Sequence, residues 1–254
     1  IPGFSACLDS DDNVHIICQD KKGNILYLLH DGRERNEKFL VSGRAQGSDI
    51  RLYVTSMGKR ILFFYSFKHG KSNVLRLQTA DKSLNISEPQ TIDYMEDGFT
   101  GYRVLNEDGS SPEVFYQGKI GQSKYIGSRR FHLSSNSWSN FSPVSSKDGE
   151  NRVLSVIRDD AGNTHICWQK EYSQKYELLH SVKKENSDEW SEETVLASSP
   201  YTFINTSMLS YENKLIIYWV KGKNIYYSAS KNGGREWEPP EKYMFFKEEP
   251  FVCI

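Results

Sequence analysis

The sequence predicts an all-β fold, a β-propeller of four-stranded antiparallel blades, and three observations predict it. Aromatic and β-branched residues gather in short runs such as ILFFYSF, LIIYWV and IYYSAS, and such residues suit a pleated, half-buried surface. The segment NVHIICQ (Asn13 to Gln19) returns as NTHICWQ (Asn163 to Gln169), each after an acidic turn and before a strand ending in LLH. In that register ILFFY, EVFYQ and IIYWV fill the same slot, so that His15, Ile61, Glu113, His165 and Ile216 follow one another at 46, 52, 52 and 51 positions. A period near 50 suits propeller blades.

Each unit repeats one order: a short first strand, a tight polar turn, the aromatic-rich strand, a second hairpin and a closing strand. The units span roughly 1–46, 47–97, 98–147, 148–200 and 201–246 of a single domain, 1–254. Residues 247–254 read as the first strand of a further unit, because PFVCI echoes GFSACL near the start. The propeller is therefore five- or six-bladed, with six preferred, and an open ring would leave an unpaired strand that invites self-association. The closing strand carries Trp138, Trp190 and Trp237, with Ile86 in the matching place and EKFLVS filling it in the first unit. These side chains are expected to wedge neighbouring sheets together, since each twisted sheet must bury both faces. No segment of useful length has apolar residues at helical spacing with caps at its ends.

Composition narrows the partners. Among 254 residues the formal net charge is −1 with both signs interspersed, so no global field draws the protein to nucleic acid or an anionic membrane. The basic run 118–130 (Lys119, Lys124, Arg129, Arg130) reads as a solvated strand edge. No apolar run approaches the length of a membrane span. The cysteines Cys7, Cys18, Cys167 and Cys253 form no C-x-x-C pair, which argues against a zinc or redox motif, and no cofactor is implied. Cys7 and Cys18 face each other across the first hairpin or are ordinary packed thiols. His15 and His165 hold equivalent repeat positions and read as packing residues. Gln19, Gln117 and Gln169 share a slot and are expected to tie neighbouring blades by hydrogen bonds. Asn85, Asn140 and Asn205 begin N-glycosylation acceptor triplets, which matter only in a eukaryotic secretory context.

The segment SKNGGREW, Ser230 to Trp237, matches the Asp-box pattern Ser-x-Asp-x-Gly-x-x-Trp with Asn232 in place of the aspartate. In this the chain resembles the sialidase-like propellers built from bacterial neuraminidase repeats. Ser181 to Trp190 and Ser128 to Trp138 keep the serine and the tryptophan but not the spacing or the glycine. The box is a turn device: Ser230 and Asn232 bond local backbone, Gly234 takes a positive φ and Trp237 packs on the hairpin. The resemblance leans towards an extracellular or cell-surface protein, and it predicts fold before chemistry.

Ligand sites of propellers lie where side chains from several blades converge, at the starts of the first strands. Arg51, Arg103 and Arg152 stand there, with Tyr53 and Tyr102 beside them. Two readings are open: each arginine pairs locally with Asp49, Glu107 or Glu150, or the three bind an anionic ligand, as sialidases hold a sugar carboxylate with three arginines. Sialidase chemistry also needs a tyrosine nucleophile with acidic partners, for which Tyr53, Tyr102, Asp49, Asp97 and Glu150 are the nominees by position. The expected function is a non-catalytic propeller recognising a glycan or a protein, the alternative a sialidase-like glycoside hydrolase.

Overall fold

The computed structural model describes residues 3–32, 35–41, 50–70, 72–95, 101–106, 111–146, 150–212, 214–221 and 224–245. They form five antiparallel sheets, each built from consecutive strands. The first holds β1 (Phe4–Leu8), β2 (Val14–Gln19), β3 (Ile25–His30) and β4 (Arg35–Val41). The second holds β5 (Arg51–Met57), β6 (Arg60–His69), β7 (Ser72–Ala80) and β8 (Gln90–Met95). The third comprises β9 (Arg103–Leu105), β10 (Glu113–Ile120), β11 (Ser123–His132) and a closing edge split into β12 (Ser137–Trp138) and β13 (Ser142–Pro143). The fourth holds β14 (Glu150–Arg158), β15 (Thr164–Tyr172), β16 (Lys175–Lys183) and β17 (Thr194–Ser199). The fifth holds β18 (Ile204–Tyr211), β19 (Lys214–Lys221), β20 (Asn224–Ser230) and β21 (Glu241–Phe245). Four strands per repeat, in the predicted order, follow the spacing read from the sequence. The terminal segment PFVCI lies outside the described residues.

The split in the third sheet has a local cause. The Phe141 ring, between β12 and β13, lies so close to Gly127 that a Cβ there would come within 2.5 Å of its Cζ and 2.4 Å of the Ser142 carbonyl oxygen. Only glycine admits this approach of ring and backbone.

The chain packs as two compact units. In the first (residues 1–100, 106–112 and 130–139), Ile17, Ile25 and Tyr27 of the first sheet pack with Val54, Ile61, Phe63 and Tyr65 of the second, and Ile86 packs against that cluster. Trp138 meets Phe64 edge-on at 6.3 Å between ring centres. In the second unit (101–105, 113–129 and 140–254), Trp190 reaches Phe115 of the third sheet, 6.1 Å away. Trp237 reaches His180 of the fourth sheet at 4.9 Å. Each closing-strand residue thus packs on the preceding sheet, as a wedge should.

Side chains also tie first strands together. The Ser5 Oγ accepts the Val54 N–H at 3.1 Å, and the Ser155 Oγ accepts the Met208 N–H at 3.2 Å. Gln117 Oε1 accepts the Asn151 N–H at 2.7 Å and Gln169 Oε1 the Phe203 N–H at 2.8 Å. These two of the three shared-slot glutamines join one sheet to the next.

One loop device recurs four times among the described residues. Asp9, Asp20, Asp81 and Asp159 each begin a D-x-x-x-N turn whose carboxylate accepts the backbone N–H two and four residues on and the side-chain amide of the closing asparagine. The fourth residue has positive φ in all four, being Asp12, Gly23, Leu84 and Gly162. The first of these turns fixes the register of β1 and β2, so that Cys7 lies opposite His15 and Cys18 opposite Phe4. The odd offset places the two thiols on opposite faces, so no disulfide joins them. The expected alternative of a Cys7–Cys18 disulfide across this hairpin is excluded by that register.

Gln169→Leu should cost about 1–3 kcal/mol, because the buried Phe203 N–H loses its acceptor. Urea unfolding followed by circular dichroism measures the loss.

Candidate functional site

Arg51 begins β5 on an exposed position, opposite Ser66, and Tyr53 on the same strand leans on Phe64 at 6.3 Å. Arg103, in the second unit, has a different environment: its Nε donates to the Leu154 carbonyl at 2.8 Å and its Nη1 to that of Tyr102 at 2.9 Å. The guanidinium therefore clamps the backbone of the next sheet's first strand. Tyr102 is buried beside it. Arg152 lies on β14 opposite Gln169. Glu150 takes hydrogen bonds from Lys124 Nζ and Gln117 Nε2, and the Lys124 bond leads the effects that hold its carboxyl below the usual range. Asp49, Asp97 and Glu107 lie outside the described residues.

A cleft of about 820 Å³ lies at the other strand ends, within the first unit. Its floor is apolar, from the buried Met57, Leu62, Leu77 and Phe131. The loop 81–89 between β7 and β8, the start of β8 and the β11–β12 hairpin tip bring polar side chains to its walls. Arg60, Glu88, Gln90 and Asn136 line it, and among the described residues their side chains are bound to no other group. Asp81 lines it too, with both carboxylate oxygens occupied by its own turn. Such an arrangement offers a dry surface beneath planar donors and acceptors, which is how small-molecule sites fix orientation. None of these residues stood out in the sequence, because they come from strand ends and a loop with no repeat signature apart from Asp81 and Asn85. A shallower cleft of about 460 Å³ in the second unit, walled by Tyr201, Ile204 and Tyr226, lies where β18 begins.

The SKNGGREW turn is hydrogen-bonded throughout. Ser230 Oγ accepts the Gly234 N–H and Asn232 Oδ1 the Glu236 N–H, both at 3.0 Å, while Trp237 Nε1 donates to the Gly234 carbonyl at 3.2 Å. Gly234 has φ of 80°. These four residues shape a turn.

No protein-family model and no curated protein matches the sequence. Solved structures do match over almost its whole length. AofleA from Arthrobotrys oligospora aligns with a TM-score of 0.61 at 13% identity over 95% of this chain and 70% of its own. The fungal lectin of Aleuria aurantia, a six-bladed β-propeller with fucose recognition, aligns at 0.56 and 15% identity over 93% of this chain and 77% of its own. The fold is a β-propeller. The polysaccharide lyase Uly1 shares it, with a TM-score of 0.55 at 8% identity over 96% of this chain and 69% of the lyase. Propellers of this shape thus include lectins and lyases, and the fold alone does not separate them.

Arg103→Ala should cost about 1–3 kcal/mol of stability by stripping the Leu154 carbonyl of its donor. Chemical denaturation checks it, and an unchanged midpoint would remove the clamp role.

Proposed function

We propose that this propeller is a non-catalytic glycan-binding module and that the cleft of about 820 Å³ holds one sugar ring. The observation that carries the reading is the pairing of an apolar floor with uncommitted planar polar groups at Arg60, Glu88, Gln90 and Asn136. A pyranose has an apolar C–H face and a periphery of hydroxyls that each donate and accept. Carboxylate, amide and guanidinium edges match such hydroxyls in pairs, and the floor takes the C–H face out of water. The lectin neighbours support the same class of ligand.

Charge narrows the class to neutral sugars. Arg60 is opposed by the carboxylates of Glu88 and Asp81 in the same cleft, so a uronic or sialic acid would meet net repulsion. Hydrolysis is less favoured than binding. The usual glycosidase mechanism uses two carboxyl groups across the scissile bond, whereas Asp81 is consumed by its turn and leaves Glu88 as the uncommitted carboxylate among the described lining residues. Arg51 and Tyr53 of the first unit, and Arg103, Arg152 and Tyr102 of the second, are the rival residues, for an anionic ligand.

A glycan array of the purified protein should give hits among neutral oligosaccharides. Arg60→Ala and Glu88→Gln, both on exposed positions, should weaken the best hit tenfold or more with an unchanged circular dichroism spectrum, a loss of at least about 1.4 kcal/mol. Full binding by the double variant would sink the cleft. Turnover of a fluorogenic sialoside by the purified protein would establish the hydrolase instead.

A further inference from the structure

We propose that Asp159, His165 and His180 form an acid-released latch that holds the fifth sheet on the fourth. Asp159 Oδ2 lies 3.0 Å from His165 Nε2, and His165 Nδ1 lies 3.1 Å from His180 Nε2. Asp159 already accepts from the Ala161 and Asn163 N–H groups and from the Asn163 side chain. The carboxylate can only accept, so His165 carries its proton on Nε2. In the neutral ring, which burial favours, its Nδ1 is then an acceptor, and His180 donates from its own Nε2. One tautomer of each ring fits, and both rings are neutral.

The far side of His180 is the fifth sheet. Trp237 stands over it at 4.9 Å and 68°. Gly234 is so close that a Cβ there would meet His180 Cε1 at 2.7 Å. The Ser230–Trp237 turn is therefore moulded on this imidazole, which is 1% exposed.

The first sheet holds the same chain with one change. Asp9 Oδ2 is 3.1 Å from His15 Nε2, and His15 Nδ1 is 2.8 Å from the Tyr27 hydroxyl. Tyr27 pairs with Ile17 as His180 pairs with Cys167, and Ile17 and Cys167 match in the repeat, so the two occupy one slot. A phenol has no basic nitrogen. The fourth sheet thus carries a proton acceptor where the first carries none.

A proton on His180 would be a buried cation. Burial, with His165 adding to it, drives the His180 imidazole down to about 3. Burial also lowers His165, against the pull of Asp159. The other groups facing the pair are few. Lys184, beyond β16, opposes a positive charge on His165. Glu185 sits against Gly162 on the far side of the Asp159 turn, and its N–H is held by Asn163 Oδ1. On the fifth sheet Lys231 is paired with Glu238, and Glu236 with the Asn232 side chain. An unfolded histidine takes up its proton near pH 6.5, so between about 6.5 and 3 the open form binds more protons than the closed one. The latch is complete above that window and weakens as the pH falls through it.

Hydrogen–deuterium exchange of the intact protein between pH 7.5 and 4.5, corrected for intrinsic rates, tests the latch. Peptides covering 224–238 should lose protection at least tenfold by pH 4.5, before those of β1–β3. His180→Tyr, which copies the first sheet, should keep that protection, as should His180→Gln, whose amide still donates to His165 Nδ1 but does not titrate. Should the tyrosine fail to fold at pH 7.5, the glutamine variant decides alone. Loss of protection at the same pH in wild type and variant, or earlier opening of the first sheet, would overturn the proposal.

Discussion

A four-stranded sheet rich in Phe, Tyr, Trp and Ile on both faces is insoluble by itself, so in this chain the covering of sheet faces by neighbouring sheets is the interaction on which the rest depends. The second strand of the central repeats shows it most clearly: seven successive residues of β6, Ile61 to Phe67, are buried, as are the first six of β10 and of β15. An amphipathic strand would alternate. Continuous burial means cover on both sides, and that cover is supplied by residues about one repeat away. The Ser and Gln bonds to the next first strand then fix the neighbour's register, because each satisfies a particular backbone N–H that would otherwise be orphaned.

The same requirement made the architecture legible in the sequence. Periodic aromatic runs, a duplicated heptapeptide and a tryptophan recurring near the closing strand are direct traces of stacked equivalent sheets, and the wedge contacts of Trp138, Trp190, Trp237 and Ile86 follow from them. What was not legible were features that depend on atoms and not on residue classes. The four D-x-x-x-N turns were visible as letters, but their meaning lies in carboxylate geometry that tolerates Asp, Gly or Leu at the positive-φ position. His15 and His165 are buried packing residues, as their equivalent positions predict, and each also relays a hydrogen bond between an aspartate and a buried partner. Their partners Tyr27 and His180 differ in type, so no residue-level repeat could announce the relay.

The arginines illustrate a second limit. Arg51 and Arg103 stand at one sequence offset in the repeat and Arg152 three residues earlier, yet their strands set them opposite Ser66, Phe115 and Gln169, so sequence offset fixes neither the backbone position nor the job of a long side chain. Arg103 turns to two carbonyl oxygens, one of them on the next sheet's first strand, which is a structural use of the donors that a carboxylate-binding arginine would offer its ligand. Equivalence between repeats is evidence for packing before it is evidence for a site.

Function in such a fold has to come from where the repeat is broken. Stacked sheets are nearly alike, so groups that serve packing recur, while groups that serve a ligand need to occur at one junction only. The cleft in the first unit meets that condition: Arg60, Glu88, Gln90 and Asn136 come from a strand start, a loop, a strand edge and a hairpin tip, and no other repeat supplies the same set at matching positions. Their placement on the ends of well-packed strands keeps the ordering cost of binding low, since the floor formed by Met57, Leu62, Leu77 and Phe131 is already fixed by the core. A ligand then has to order only four side chains, each at roughly 0.5–1.5 kcal/mol.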